Sequence, residues 1–112
     1  IKKGCEIGKG SIFNAGADIC LEENILIGPY CLIQASNHGI NAKGDIKGQK
    51  YSHKPITIKK GSWLAANVVI LPGTIVGKGS VIGASAIVTK DTKPNSINVG
   101  NPSRYVGNRL EE

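Results

Sequence analysis

The chain contains two histidines, His38 and His53, and both lie in the polar stretch from residue 36 to residue 55. A neutral imidazole can take a proton from a hydroxyl group that attacks a carbonyl, and can then return it to the leaving group. His38 follows Ser36 and Asn37, where a regular pattern in the sequence stops, and it is the candidate general base. His53 stands just before the pattern resumes, and we interpret it as an exposed loop residue.

A period of six residues must position the candidate base. From residue 58 to residue 93, the first place of each unit is a branched aliphatic residue, the fourth supports a tight turn and the fifth is small. The first-place residues are Ile58, Leu64, Ile70, Val76, Ile82 and Val88. Helices place apolar residues at spacings of three and four and strands at two, so neither element explains this period as a continuous run. Each unit is predicted to be a short strand and a corner, with one large and one small side chain pointing inward.

The same period extends towards the start of the chain. It runs from Ile1, shifts by two residues after Ile19, and continues to Ile33 before the stretch 36–55 interrupts it. Because both flanks of this stretch keep the register, it is predicted to loop out from the repeats and to carry function. A repeat array that begins within a unit leaves a strand edge open, so we expect a capping segment before Ile1.

These boundaries predict one repeat domain over residues 1–99, with an excursion loop at about 36–55, and a C-terminal tail over residues 100–112. The formal charge of +6 fits an anionic ligand, such as a phosphorylated cofactor. Nucleic-acid binding is disfavoured because the lysines are spread along the repeats without interleaved aromatic residues. The three cysteines lack metal-binding spacing, and no signal peptide or membrane span is visible, so we expect reduced thiols and a cytoplasmic protein.

Six-residue units build parallel β-helices, in which each turn buries its side chains by stacking on its neighbours. The run 58–93, the segment 56–65 around Trp63 and the tail segment 100–106 (G-N-P-S-R-Y-V) together resemble the hexapeptide-repeat acyltransferases, in their sugar and polysaccharide O-acetyltransferase branch. The resemblance implies an all-β fold, a left-handed parallel β-helix of about five coils with eighteen residues per coil. It also implies a trimer, which would cover the outward ridge that Val69 and Ile87 form by stacking.

The resemblance implies an acetyl-CoA-dependent O-acetyltransferase that modifies a sugar or polysaccharide hydroxyl, with His38 at the position of the catalytic histidine. We expect no metal, since the carbonic anhydrases that share this fold need three histidines and this chain has two. Two alternatives stay open. One is N-acetylation of a nucleotide-linked amino sugar or an antibiotic, and the other is a scaffold that does not bind acetyl-CoA.

Further site residues follow from the same resemblance. Trp63 is expected beside the active site or at the trimer interface, and Asn14 resembles an asparagine that assists catalysis. Asn37 and Tyr51 are expected to line the acceptor side. The residues expected to contact the cofactor are small for pantetheine and hydroxyl-bearing or basic for the phosphates: Ala66, Ala84, Thr89, Lys90 and Arg104.

Overall fold

The protein was analysed as a computed structural model that describes residues 1–110, so Glu111 and Glu112 of the predicted tail lie outside the described residues. Short strands form three faces of a prism. The first face holds β1 (Glu6–Ile7), β4 (Leu26–Ile27), β9 (Trp63–Leu64), β12 (Val81–Ile82), β14 (Ser96–Val99) and β15 (Arg104–Asn108). The second holds β2 (Ile12–Asn14), β5 (Leu32–Gln34), β10 (Val69–Ile70) and β13 (Ile87–Val88). The third holds β3 (Ile19–Leu21), β8 (Ile56–Ile58) and β11 (Ile75–Val76).

The chain visits the three faces in turn, and each strand pairs in parallel with the strand one coil away. Val69 of β10, for example, lies between Leu32 of β5 and Ile87 of β13. Among the described strands of the three faces, β15 alone runs antiparallel to its neighbour, because the chain turns back along β14. The all-β parallel β-helix predicted from the six-residue period is confirmed.

The core is a column of side chains along the axis of the prism. All six first-place aliphatic residues from Ile58 to Val88 are fully buried, and the fifth-place residues from Ser62 to Ala86 are buried beside them. Each inward side chain is stacked on its equivalents in adjacent coils, as Ile70 is between Ile33 and Val88. Because each coil contributes few inward side chains, burial depends on contact between coils.

The fourth place of the unit makes the corners. Five of these residues have left-handed backbone conformations, with φ between +59° and +80°: Gly61, Asn67, Gly73, Gly79 and Ser85. Glycine and asparagine adopt this region at low cost, which explains the composition of the column. The corners turn the chain from one face to the next after every short strand.

The last coil departs from the period of six. Asn98 pairs with Ile82 and occupies an inward position that holds aliphatic residues in the coils before it. Its Nδ2 donates to Ser96 Oγ at 2.8 Å, and the hydroxyls of Ser80 and Ser96 donate to the Lys93 carbonyl at 2.8 and 2.6 Å. Buried polar groups need such partners. The end of the core is therefore a hydrogen-bonded layer, which the repeat pattern did not predict.

The excursion leaves the prism between the second and third faces. It contains β6 (Ser36–His38), the 3₁₀ helix η1 (Ile46–Gly48) and β7 (Tyr51–His53). β6 and β7 pair antiparallel, so the excursion is a hairpin with a wide tip. Over residues 1–110, no helix is long and apolar enough to cross a membrane.

Candidate functional site

The two strands of the hairpin set His38 against Tyr51. These residues face each other in the antiparallel register, and their ring centroids are 4.4 Å apart at an interplanar angle of 50°. The imidazole Nδ1 lies 3.4 Å from the Gly39 carbonyl oxygen, a long contact, and the side chain is half-buried. Tyr51 is 62% exposed. The imidazole thus packs against an exposed aromatic ring at the neck of the hairpin.

A second pair joins the two strands at the base of the hairpin, where it meets the prism. Ser36 is 5% exposed, and its hydroxyl lies 2.8 Å from Nδ1 of His53 across the strand pair. A Cβ atom on Gly16, one coil earlier, would collide with both Ser36 Oγ and the His53 ring, so glycine is needed there for close packing. Although His53 is exposed, it is bonded rather than free. The sequence offered no signal for Ser36 beyond its position at the end of the repeats.

The predicted acceptor and auxiliary residues lie near this corner. Asn37 is exposed and faces Ser52 across the hairpin. Asn14 ends β2 and pairs with Gln34, which is two residues before Ser36. The Asn14 carbonyl accepts a hydrogen bond from the Ala35 amide at 3.0 Å. The fold thus brings Asn14, 24 residues earlier in the sequence than His38, to the coil beneath the hairpin.

Trp63 lies on a different face of the prism from the hairpin. It projects from the first face, between Leu26 and Val81 in the register, and is 48% exposed. The hairpin leaves between the second and third faces, so a single chain does not place Trp63 on the same edge as His38.

Small residues line the corner between the first and second faces. Backbone hydrogen bonds stack Gly8, Gly28, Ala65 and Gly83 in successive coils. Ala66 and Ala84 follow this column, and the Ala66 carbonyl accepts from the Ser85 amide at 2.9 Å. A Cβ on Gly28 would meet the backbone of Ala65 and Ala66, which shows how closely the coils approach there. The edge is a track of small, mostly half-buried residues that could take an extended chain.

The predicted phosphate-contacting residues are exposed and spread over two parts of the prism. Thr89 and Lys90 follow β13 at the corner that leads to the third face, whereas Arg104 lies in β15 opposite Val99 on the first face. Arg109, whose role the sequence left open, donates from Nε to the Gly79 carbonyl at 2.8 Å and secures the tail. One chain does not bring these basic groups together with the small-residue track.

The three cysteine thiols form no disulfide with one another. Cys5, Cys20 and Cys31 are free, and burial raises the pKa of the Cys31 thiol above its usual range. Cys31 donates from Sγ to the Ala65 carbonyl at 3.1 Å, so it belongs to the packing of the core. Within residues 1–110, no group of three His, Cys, Asp or Glu side chains is placed to hold a metal ion.

Residues 55–90 match the family described as bacterial transferase hexapeptide, with six repeats. A galactoside O-acetyltransferase of Escherichia coli K12 is 39% identical over 88 residues, which are 79% of this chain and 43% of that protein. The chain spans less than half the length of the curated relatives that it matches first.

Solved structures give the same result for the fold. A hexapeptide-repeat acetyltransferase of Vibrio cholerae O1 biovar eltor, in complex with acetyl coenzyme A, has a TM-score of 0.85 at 26% identity, over 96% of this chain and 62% of that one. A maltose O-acetyltransferase of Clostridium difficile 630 has a TM-score of 0.73 at 30% identity, over 96% and 60%. These matches confirm the predicted left-handed form of the parallel β-helix.

Proposed function

Because the chain belongs to the hexapeptide-repeat acyltransferase family, we propose that it is an acetyl-CoA-dependent O-acetyltransferase that modifies a hydroxyl group of a sugar or polysaccharide. The names of its relatives, galactoside and maltose O-acetyltransferase, support this class of acceptor. The observation that carries the proposal is the position of His38, whose half-buried ring is held against Tyr51 at the neck of an ordered hairpin.

In this proposal, His38 is the general base. The acceptor hydroxyl attacks the thioester carbonyl while the imidazole takes its proton, a new C–O ester bond forms, and the C–S bond breaks. The proton then passes from the imidazolium to the CoA thiolate, so no acyl-enzyme forms. Asn37 and Tyr51 would line the acceptor side, and Asn14, in the adjacent coil, would assist catalysis. Packing against Tyr51 favours a ring that stays in place between the two proton transfers.

Acetyl-CoA is the proposed cosubstrate. The small-residue track that includes Ala66 and Ala84 fits an extended pantetheine chain, because its side chains are small and Ala84 is exposed. Thr89, Lys90 and Arg104 would contact the phosphates. Lys90 and Arg104 are exposed cations of the kind that suits phosphate.

A homotrimer would assemble these separated edges into sites. The outward positions of the second face are aliphatic in every coil, in the order Ile12, Leu32, Val69 and Ile87. Such an unbroken apolar column favours contact with another subunit. A neighbouring subunit could then bring its Trp63 or its small-residue track to the hairpin, which a single chain does not do. We place the protein in the cytoplasm, since three free thiols fit a reducing compartment.

Replacing His38 tests this function directly. His38→Ala in the full-length protein is expected to lower turnover by about 10²- to 10⁴-fold, the usual contribution of a general base. The control is Ser52→Ala, which truncates an exposed side chain on the same hairpin and should leave turnover within a few-fold of the wild type. Release of the CoA thiol reports the rate, with sugar hydroxyls and amino sugars as alternative acceptors.

Circular dichroism and sedimentation should show that both variants keep the fold and the assembly of the wild type. Unchanged turnover in His38→Ala would refute the mechanism. Faster thiol release with amino sugars than with sugar hydroxyls would replace O-acetylation by N-acetylation.

A further inference from the structure

The tip of the hairpin forms a cavity of its own, which is open to solvent. It has a volume of about 620 Å³, which lies within the range of about 300–1,000 Å³ that ligand pockets occupy. Its lining comes entirely from residues 39–50, with Ile40 as an apolar wall and Lys43, Asp45, Gln49 and Lys50 among the polar residues. No part of the prism contributes to it, so the cavity exists because the excursion exists.

Hydrogen bonds within the hairpin tip hold the walls of the cavity in place. The Gln49 side chain spans the tip, with the Ala42 amide donating to Oε1 at 3.2 Å and Nε2 donating to the Ala42 carbonyl at 2.9 Å. At the neck, the Gly39 amide donates to the Lys50 carbonyl at 2.8 Å, and a Cβ on Gly39 would collide with that carbonyl. These contacts fix both ends of the opening.

The cavity adjoins the proposed catalytic base. Gly39 lines it and follows His38 directly, and its carbonyl is the 3.4 Å neighbour of the imidazole Nδ1. On the opposite strand, Lys50 lines it and precedes Tyr51, whose ring packs on His38. A molecule that occupies the cavity therefore lies next to the residues that carry the imidazole and the phenol, although neither His38 nor Tyr51 is part of the lining.

The hairpin tip carries a net positive charge. The tip carries Lys43, Lys47 and Lys50 against a single acidic residue, Asp45. Within residues 1–110, the one ion pair closer than 4 Å joins Lys2 to Glu23, at the other end of the repeat array. Lys43 and Lys50 share the lining with Asp45, but among the described residues neither lysine lies within 4 Å of that carboxylate, so both ammonium groups are open to an anionic ligand.

From this geometry we propose that the hairpin tip is an acceptor subsite that selects acidic sugars, with Lys43 and Lys50 binding a carboxylate or phosphate on the sugar. The inference rests on the proposed function for the identity of the ligand as an acceptor. The inference goes further because it names the charge of that acceptor and the residues that recognise this charge. The sugar ring would lie along Ile40, with the hydroxyl to be acetylated directed to His38.

The test compares three sugars that differ only at C6: methyl galactoside, its C6 carboxylate (methyl galacturonide) and its C6 phosphate. The full-length wild type is compared with Lys43→Gln/Lys50→Gln, and the control is Lys3→Gln/Lys9→Gln. The control removes the same charge from exposed positions far from the hairpin in the sequence. Equilibrium binding is measured by NMR without acetyl-CoA, and initial rates are measured with it.

We expect the wild type and the control to bind at least one acidic sugar about three- to tenfold more tightly than the neutral sugar, as two exposed ion pairs allow. The Lys43→Gln/Lys50→Gln variant should lose this preference through a higher KM for the acidic sugar, with kcat and the KM for acetyl-CoA unchanged. Whichever of carboxylate and phosphate shows the larger effect identifies the group.

Equal binding of acidic and neutral sugars by the wild type would overturn the inference and leave the O-acetyltransferase proposal intact. A raised KM for acetyl-CoA in the variant would overturn it as well, because the lysines would then bind the cofactor phosphates. Charge-selective binding without any turnover would support the subsite and count against the proposed function instead.

Discussion

Gly16 offers a test of how the prism positions the hairpin. It lies 22 residues before His38 in the sequence and touches no residue proposed to contact a substrate. A Cβ at this position would overlap the Ser36 hydroxyl and the His53 ring, whereas the backbone there does not have positive φ. In Gly16→Ala, the added methyl group should therefore act through the Ser36–His53 contact alone.

The size of the effect follows from that contact. The Ser36 Oγ and His53 Nδ1 atoms are only 2.8 Å apart, and the methyl group would overlap both side chains, so it must push them apart. Because Ser36 is 5% exposed, its hydroxyl would lose its partner without gaining water, which costs about 1–3 kcal/mol. β7 carries both His53 and Tyr51, so the packing of the Tyr51 ring against His38 should loosen too. Misplacement of a catalytic group by about 1 Å can lower the rate about 100-fold.

Gly107→Ala is the matched control, because a Cβ there meets nothing within 4 Å and φ is not positive. Urea unfolding followed by circular dichroism at one protein concentration should place Gly16→Ala about 1–3 kcal/mol below the wild type, and Gly107→Ala within about 0.5 kcal/mol. Initial rates should fall about tenfold or more in Gly16→Ala only. If Gly16→Ala matches Gly107→Ala in both stability and rate, the Ser36–His53 contact does not hold the hairpin.

Two further predictions concern the column of buried side chains. Ile70→Ala should lower the free energy of unfolding in urea by about 2–5 kcal/mol, because Ile70 is fully buried between Ile33 and Val88. Ile75→Ala, at an outward position that is 40% exposed, should lower it clearly less. Equal losses would contradict the inward and outward assignment. Burial raises the pKa of the Cys31 thiol, so the stability that its neutral form supplies is complete below the ordinary thiol pKa of 9.0 and is lost as the pH rises through the higher folded value. Urea midpoints measured up to alkaline pH should therefore fall more steeply in the wild type than in Cys31→Ala, and parallel curves would refute this origin.

Much of the fold could be predicted because a repeat converts three-dimensional packing into a pattern along the chain. Every sixth residue from Ile58 to Val88 is aliphatic since each faces the same axis, and the fourth-place residues are glycine, asparagine or serine since each corner needs left-handed backbone. The period failed at the last coil, where Asn98 and its hydroxyl partners replace aliphatic packing. Polar groups can fill a core only through specific hydrogen bonds, and these leave no periodic signal.

The sequence by itself determined the prism, the place where the chain leaves it and His38 as the candidate base. Only the tertiary structure decided what surrounds that histidine. Tyr51 meets His38 and His53 meets Ser36 because two strands of an irregular segment pair antiparallel, and Gly16 packs against the second pair because it lies one coil away in space. The basic cavity at the hairpin tip arose in the same way. Contacts between residues far apart in the chain depend on register and on close approach of backbones, and neither quantity is written in a six-residue period.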